Sequence, residues 1–418
     1  VLLTAIAGLG VAIFSQAGIS RVRVRFSYFP IFHFLLMGLN GAFLTGDIFN
    51  LYVWFEIIII SSFVLMTLGG EKPQIEGAIK YVTMNLFASV IFLTAIAILY
   101  GLTGSLNMAD LSLKVSQVPN RGLINVTAML FFIGFGIKAA VFPMYFWLPS
   151  SYHTPPSAIA AIFGGLLTKA GVYALMRIFT LIFVPDTFTL NIMAAVAIMT
   201  LVTGALGALI QQNLRRILSY FIVCHIGYMI AGLSMFTEIA LTGAIFYLIH
   251  DIIIKTNVFL VSGIINKING SVQLKQIGGL YRHYPWLSFV IAIVLFSLTG
   301  IPPLSGFWPK IFLFEAAFDT RSYILVGALL LAGFITLYVI AKIWIEAFWK
   351  EKEGVIAGDY DKAPLHHKIL MITPVVMLAA VSLYIGFAAE HVISLSRHIA
   401  SEMLDTSAYV MAVLGQTN

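Results

Sequence analysis

Six of the 24 basic residues in this 418-residue sequence fall inside long apolar runs, where a charge is costly unless it is paired, hydrated or neutralised. Lys138 lies in the run from Gly134 to Pro143, Lys169 in the run from Leu166 to Val172, and Lys255 eight residues after Tyr247. Lys310 ends a stretch containing Pro302, Pro303 and Pro309. A carboxylate, Glu56, sits between Leu51–Phe55 and Ile57–Ile60. Such residues suit proton carriage. A carboxylate beside a buried ammonium favours the charged pair, and separating the two favours the neutral forms, so Glu56 and Lys138 read as a switch. His250 adds a group that both takes and gives a proton near neutral pH. His225 fits the same role or that of a hydrogen-bonded core residue. Asp251 and Lys255 are four apart on one helix face, so a local ion pair is an alternative reading of that lysine. Lys342 and Glu346, also four apart, could neutralise each other. No ligand motif supports a metal at the two histidines, and no Gly-rich phosphate loop is present; the expectation is no cofactor and no metal.

These residues need helices that cross a membrane. The sequence is 60% hydrophobic and 10% charged, against roughly 25% charged in a soluble chain. That composition excludes a cytosolic enzyme and a disordered chain. The single cysteine, Cys224, excludes a disulfide framework and a thiolate cluster within the chain. A net charge of +6 carries no nucleic-acid footprint. Val1 opens inside an apolar run without an initiator Met, and the expectation is that preceding residues are missing. Apolar windows predict an all-α polytopic membrane protein with twelve spans, near 1–19, 30–46, 48–70, 77–101, 122–147, 156–184, 188–211, 216–235, 239–265, 286–317, 323–349 and 368–388. Leu106 to Val118 reads as a short interfacial piece, the connection from Lys350 to Lys368 as a solvated loop, and the tail beyond His391 as amphipathic. Fourteen Lys and Arg fall in the connections sharing a side with Arg21, Arg23 and Arg25, and four in the others, which places the Arg21 side in the cytoplasm.

Pro143 should end the helix that carries Lys138, and Pro302 and Pro303, flanked by Gly300 and Gly306, should break a second one before Lys310. Lys138 to Lys169 spans 31 residues and Lys310 to Lys342 spans 32. The broken spans are the fifth and the tenth. An odd offset implies two inverted five-helix repeats, 30–184 and 188–349, each supplying half a channel. Residues 1–29 then form an N-terminal span with a basic loop. Residues 350–418 hold a polar loop, the last span and the tail.

The run Phe135 to Pro149, then Pro155-Pro-Ser-Ala158 and Leu167 to Tyr173, resembles the proton-translocating antiporter-type subunits of respiratory complex I, membrane-bound hydrogenases and Mrp cation/proton antiporters. Gly300 to Trp308 extends the resemblance over essentially the whole chain. Gly70-Glu-Lys72, Ile79-Lys-Tyr81, Gly101 to Met108 and Tyr247 to Lys255 are most similar to the D-type subunits of Mrp antiporters. The resemblance implies that Glu56 pairs with Lys138, that Lys169 bridges, that His250 and Lys255 form a central polar axis, and that Lys310 serves the second break. It implies fourteen spans, two of them N-terminal to the twelve seen here. Two departures stand out. The family's His-x-x-Ala-Pro pattern would put its histidine at Tyr152, whereas His153 is one residue late. His250 and Lys255 are five apart rather than four. The function implied is a subunit of a Na+/H+ antiporter in the cell membrane that carries protons and works with other membrane subunits. The alternative is a proton-pumping subunit of a redox complex, and the six intramembrane basic residues argue against a mere scaffold.

Overall fold

The computed structural model describes residues 1–351 and 358–415; residues 352–357, within the expected polar loop, and 416–418, at the end of the tail, lie outside the described residues. Every named element among the described residues is a helix. Nine are long and apolar enough to cross a membrane. Three shorter apolar helices, Leu2–Gly18, Tyr28–Leu44 and Pro285–Thr299, stand at the other predicted runs. Side-chain caps start many of the helices. Asp47, Asn107, Asn120, Asp186, Asn213 and Thr237 each accept a hydrogen bond from a backbone N–H of the first turn that they precede.

Three helices form the core. Ser157–Leu181, Leu214–Met235 and Glu238–Asn269 are 94%, 94% and 89% buried over their most apolar window, against 39% to 44% for helices such as Ile48–Thr67, Lys72–Thr103 and Tyr323–Trp349. A helix that is apolar all round belongs inside, and these three carry Lys169, His225, His250 and Lys255. Glycine allows their close approach. A side chain at Gly165 would run into Thr256, and one at Gly164 would stand 2.6 Å from the Phe259 ring.

Both breaks occur where proline predicts them. Arg121–Ala139 ends one residue past Lys138, with Ala140 in the left-handed conformation at φ 63° and Pro143 following. Pro285–Thr299 ends at Gly300, φ 82°, and the chain becomes helical again at Phe307–Asp319. Pro309 lies within the first turn of that second piece, where the missing N–H has no intrahelical partner to lose.

Two small backbone pairings mirror one another. Asp47 pairs with Asn107 and Asn213 with Gln273, each partner 60 residues from its mate. Lys72–Thr103 and Glu238–Asn269 are both 32 residues long, and both end at a left-handed glycine, Gly104 and Gly270. Connections expected on the Arg21 side touch one another. Arg23 pairs with Glu71 at 2.9 Å, Arg282 with Glu351 at 2.6 Å, and the Gly358 N–H donates to Ile268 O at 3.1 Å.

The Leu106–Val118 segment forms the short Met108–Lys114 helix and a 3-10 turn. The tail folds as Ala389–Leu404 and Ser407–Leu414, the first burying Val392, Ile393, Ser396 and Ala400 and exposing Glu390, His391, Arg397, His398 and Glu402. The pairing considered for Lys342 and Glu346 is not the one formed. Glu346 binds Lys350 at 3.0 Å, one turn further along, at the wet end of the helix.

Candidate functional site

At the centre of the molecule three basic side chains converge on one carboxylate. Lys169 Nζ stands 2.7 Å from Asp251 Oδ2, His225 Nδ1 2.8 Å from Asp251 Oδ1, and Lys255 Nζ 3.8 Å from the same oxygen. All four side chains are fully excluded from solvent. They come from three helices, and the glycines of Ser157–Leu181 let the backbone carrying Lys169 approach that carrying Asp251. Lys169 also donates to Gly164 O at 2.7 Å. Lys255 makes no hydrogen bond among the described residues and lies over the Phe221 ring at 5.6 Å. One carboxylate therefore faces two ammonium groups and an imidazole. Such a cluster is neutral with one of the lysines charged, and a second proton leaves it positive in a setting walled off from solvent.

Asp251 is the residue that sequence reasoning missed. In the sequence it presents itself only as a local partner of Lys255, four residues on. The local pair exists at its longest distance, while the tightest bond goes to Lys169 on another helix. The signal available is that Asp251 is a carboxylate in the middle of an apolar run, the same signal that marks Glu56.

The first break holds Lys138, 4% exposed, in the last turn of Arg121–Ala139, where the helix dipole favours a cation. Its Nζ donates to Ser89 Oγ at 3.0 Å and lies 5.1 Å from the centre of the Phe55 ring. No ion pair joins it to Glu56 among the described residues. Glu56 is half-buried, with Oε1 shielded from solvent and lacking a hydrogen-bond partner among those residues. Glu56 and Ser89 line a common groove of about 540 Å³ with Tyr52, Leu86, Val90, Leu93, Thr94 and Ala97. The expected contact pair is not formed: Lys138 donates instead to Ser89, which lines the groove that also holds Glu56. Phe55, adjacent to Glu56 on its helix, occupies the space over the ammonium.

At the second break Lys310, 8% exposed, reaches back across the gap and donates to Thr299 O at 2.6 Å. Lys138 and Lys310 therefore both sit at the C-terminal end of a first half-helix, although one precedes its break and the other follows it. Lys310 faces the ring of Tyr228 at 5.4 Å. Tyr228 stacks on Tyr247 with centroids 5.0 Å apart, and Tyr247 meets both His225 and His250 edge-on. His250 Nδ1 bonds Ser305 Oγ at 2.8 Å, in the break itself. His250 and Lys255, five apart, point to different partners, as their spacing on a helix requires. His153 lies outside this axis, its Nδ1 against Pro149 O at 2.8 Å.

The family model described as NADH:quinone oxidoreductase/Mrp antiporter, transmembrane, matches residues 45–336. The D subunit of the Na(+)/H(+) antiporter of Alkalihalophilus pseudofirmus is 44% identical over 99% of this chain and 83% of its own. In the solved Mrp complex from Dietzia sp., a chain superposes with a TM-score of 0.88 at 30% identity, covering 99% of this chain and 84% of that one. A chain of an archaeal respiratory complex, the membrane-bound sulfane sulfur reductase, superposes with a TM-score of 0.90 at 27% identity, covering 99% and 83%.

Proposed function

From the premise that this chain belongs to the NADH:quinone oxidoreductase/Mrp antiporter family of membrane proteins, we infer that it is the D-type subunit of a multisubunit Na+/H+ antiporter. It is a secondary transporter subunit of the cell membrane, not an enzyme, and it acts together with other membrane subunits. The observation that carries its part in proton movement is the buried Asp251 cluster, set between two helices broken beside a lysine.

The finer reading is a molecule crossing the membrane twelve times in two inverted repeats, 30–184 and 188–349. The paired bridges, the two 32-residue helices and their terminal glycines support it, each recurring 166 residues later. Five spans separate the two copies, so they face opposite sides. The relay residues are Glu56, Lys138, Lys169, His225, His250, Lys255 and Lys310, with Asp251 added. A proton reaching Glu56 from the groove passes by way of the Ser89 hydroxyl to Lys138. At the centre, Asp251 balances one cation. The charge on Lys169 is held by its 2.7 Å contact, and the proton that moves is the second one, on Lys255 at 3.8 Å. His250 and Lys310 continue the path to the second break.

The test is sodium-driven pH change in membrane vesicles carrying the whole complex. Exchange without any redox donor is the expected result. Proton movement only on addition of a donor would overturn it in favour of the second reading, a proton-pumping subunit of a redox complex, which the likeness to the archaeal reductase supports.

A further inference from the structure

Three serines outside the relay meet at the second break. Ser297 belongs to Pro285–Thr299, Ser305 to the break, and Ser382 to Leu365–Phe387, the helix beyond the second repeat. Their hydroxyl oxygens form a closed triangle with sides of 2.7 Å (Ser297 to Ser305), 2.9 Å (Ser297 to Ser382) and 2.9 Å (Ser305 to Ser382). All three residues are fully buried. A helical serine normally spends its proton on the carbonyl one turn back, as Ser151 and Ser219 do in this protein. Ser297 and Ser382 make no such bond among the described residues. Their protons are committed to the ring.

The fourth contact of the ring is His250 Nδ1, 2.8 Å from Ser305 Oγ. Three hydroxyls supply three protons for four contacts. If Nδ1 is the acceptor, Ser305 spends its proton on it, the other two hydroxyls cover two sides, and one side of the triangle is left as lone pair against lone pair. If Nδ1 carries the proton and donates to Ser305, the three hydroxyls circulate around the triangle and every contact is made. Buried polar groups settle in the arrangement that leaves none unmade. The other ring nitrogen, Nε2, is buried and has no hydrogen-bond partner among the described residues.

We propose that Ser297, Ser305 and Ser382 are positioning residues that hold His250 in the Nδ1–H tautomer and so leave Nε2 as the atom through which the proton arrives and departs. The inference rests on the relay reading above. It gives Leu365–Phe387, which supplies Ser382, a part in the relay, although the Ser382 hydroxyl bonds only the other two serines among the described residues. The balance is simple. His250 gains one proton at Nε2 to become the imidazolium and returns it from Nε2, while Nδ1–H stays on the Ser305 oxygen throughout.

The experiment is nitrogen-15 NMR of the whole complex, histidine-labelled, in lipid, with the His250 signals located by their loss in His250→Gln. The expected spectrum at pH 8 shows one protonated nitrogen bonded to oxygen, assigned by coupling as Nδ1, and an unprotonated Nε2. Ser305→Ala removes the partner of Nδ1 and should mix the tautomers. Ser382→Ala is more telling, because Ser382 does not bond the histidine. With two hydroxyls left, either tautomer satisfies both remaining contacts, so the preference should fall several-fold. Ser382→Thr keeps the hydroxyl and should restore the parent spectrum. Sodium-driven exchange measured on the same preparations should fall several-fold in the alanine variants and recover in the threonine one. A parent spectrum with Nε2–H, or a Ser382→Ala spectrum identical to the parent, overturns the proposal. The spectra are scored without transport, so a parent complex lacking sodium-driven exchange would count against the function and leave the tautomer to be judged separately.

Discussion

Replacing Asp251 by asparagine removes one negative charge from a cluster that holds two lysines and a histidine, with little change in shape. At an effective dielectric constant of about 20, a unit charge pair at the Lys169 distance is worth about 6 kcal/mol and at the Lys255 distance about 4 kcal/mol. Those are gross attractions. The net penalty for stranding one member of a buried pair is about 3–5 kcal/mol. Lys169 escapes much of that penalty by giving up its proton, so the complex should still assemble. The charged state on which proton transfer depends is then out of reach by the same amount. At 1.4 kcal/mol per decade this is a loss of about 100-fold or more in exchange rate. The assay is sodium-driven dequenching of a pH-sensitive dye in vesicles, with partner subunits co-purified to score assembly. Asp251→Glu keeps the charge on a longer arm and should retain a measurable fraction. Adding Lys169→Met to Asp251→Asn should cost little more, because residues that act as a unit are not additive. Assembled Asp251→Asn complex exchanging at more than a third of the parent rate would refute the hub.

The other predictions concern separate parts of the molecule. Glu56→Ala and Lys138→Ala should each abolish exchange with assembly intact, and the double change should be no worse; Glu56→Asp should leave partial activity. Ser89→Ala removes the acceptor of the Lys138 ammonium, a charged hydrogen bond worth about 1.5–3 kcal/mol, so exchange should fall roughly tenfold to a hundredfold without loss of protein. Gly204→Val would force a side chain into the backbone of Cys224 on the neighbouring helix, and overpacking of about 1–3 kcal/mol should lower the thermal stability and yield of the complex. His153, in the connection before Ser157–Leu181, is pushed down to about 4, first by burial and then by Arg216, with the Pro149 carbonyl opposing. It is neutral above that value, so His153→Gln should leave the pH profile of exchange unmoved between pH 6 and 9; a shifted profile would show that it titrates.

Much of this was legible in the sequence because its signals are local. Apolar length marks helices, so each predicted run has an apolar helix. Proline removes a donor and fixes a dihedral, so Pro143 and Pro302 mark the breaks. What the sequence hides is which helix faces which. Glu56 and Lys138 are the obvious opposite charges, yet Phe55 covers the lysine and Ser89, on a third helix, takes its hydrogen bond. Asp251 looks local because Lys255 is one turn away, while Lys169 reaches it only because small residues let two helices close. The serine triangle draws on three elements up to 85 residues apart. Hydroxyls in an apolar run carry no periodic signal to announce such a meeting.

The wide turn before Lys169 has a mechanical consequence. Phe163–Leu167 is a π-helical turn within Ser157–Leu181, and Lys169 donates to Gly164 O, five residues back. A turn of this kind carries one residue more than an α turn needs, and each extra residue rotates the remainder of the helix by about 100° around its axis. In this structure the surplus residue lies ahead of Lys169. If it moves along the chain past position 169, the ammonium swings by that angle, away from Asp251, while both ends of the helix keep their positions and their packing. Such a shift would turn Lys169 like the pointer of a dial, by shuffling hydrogen bonds within one helix rather than by tilting one helix against another.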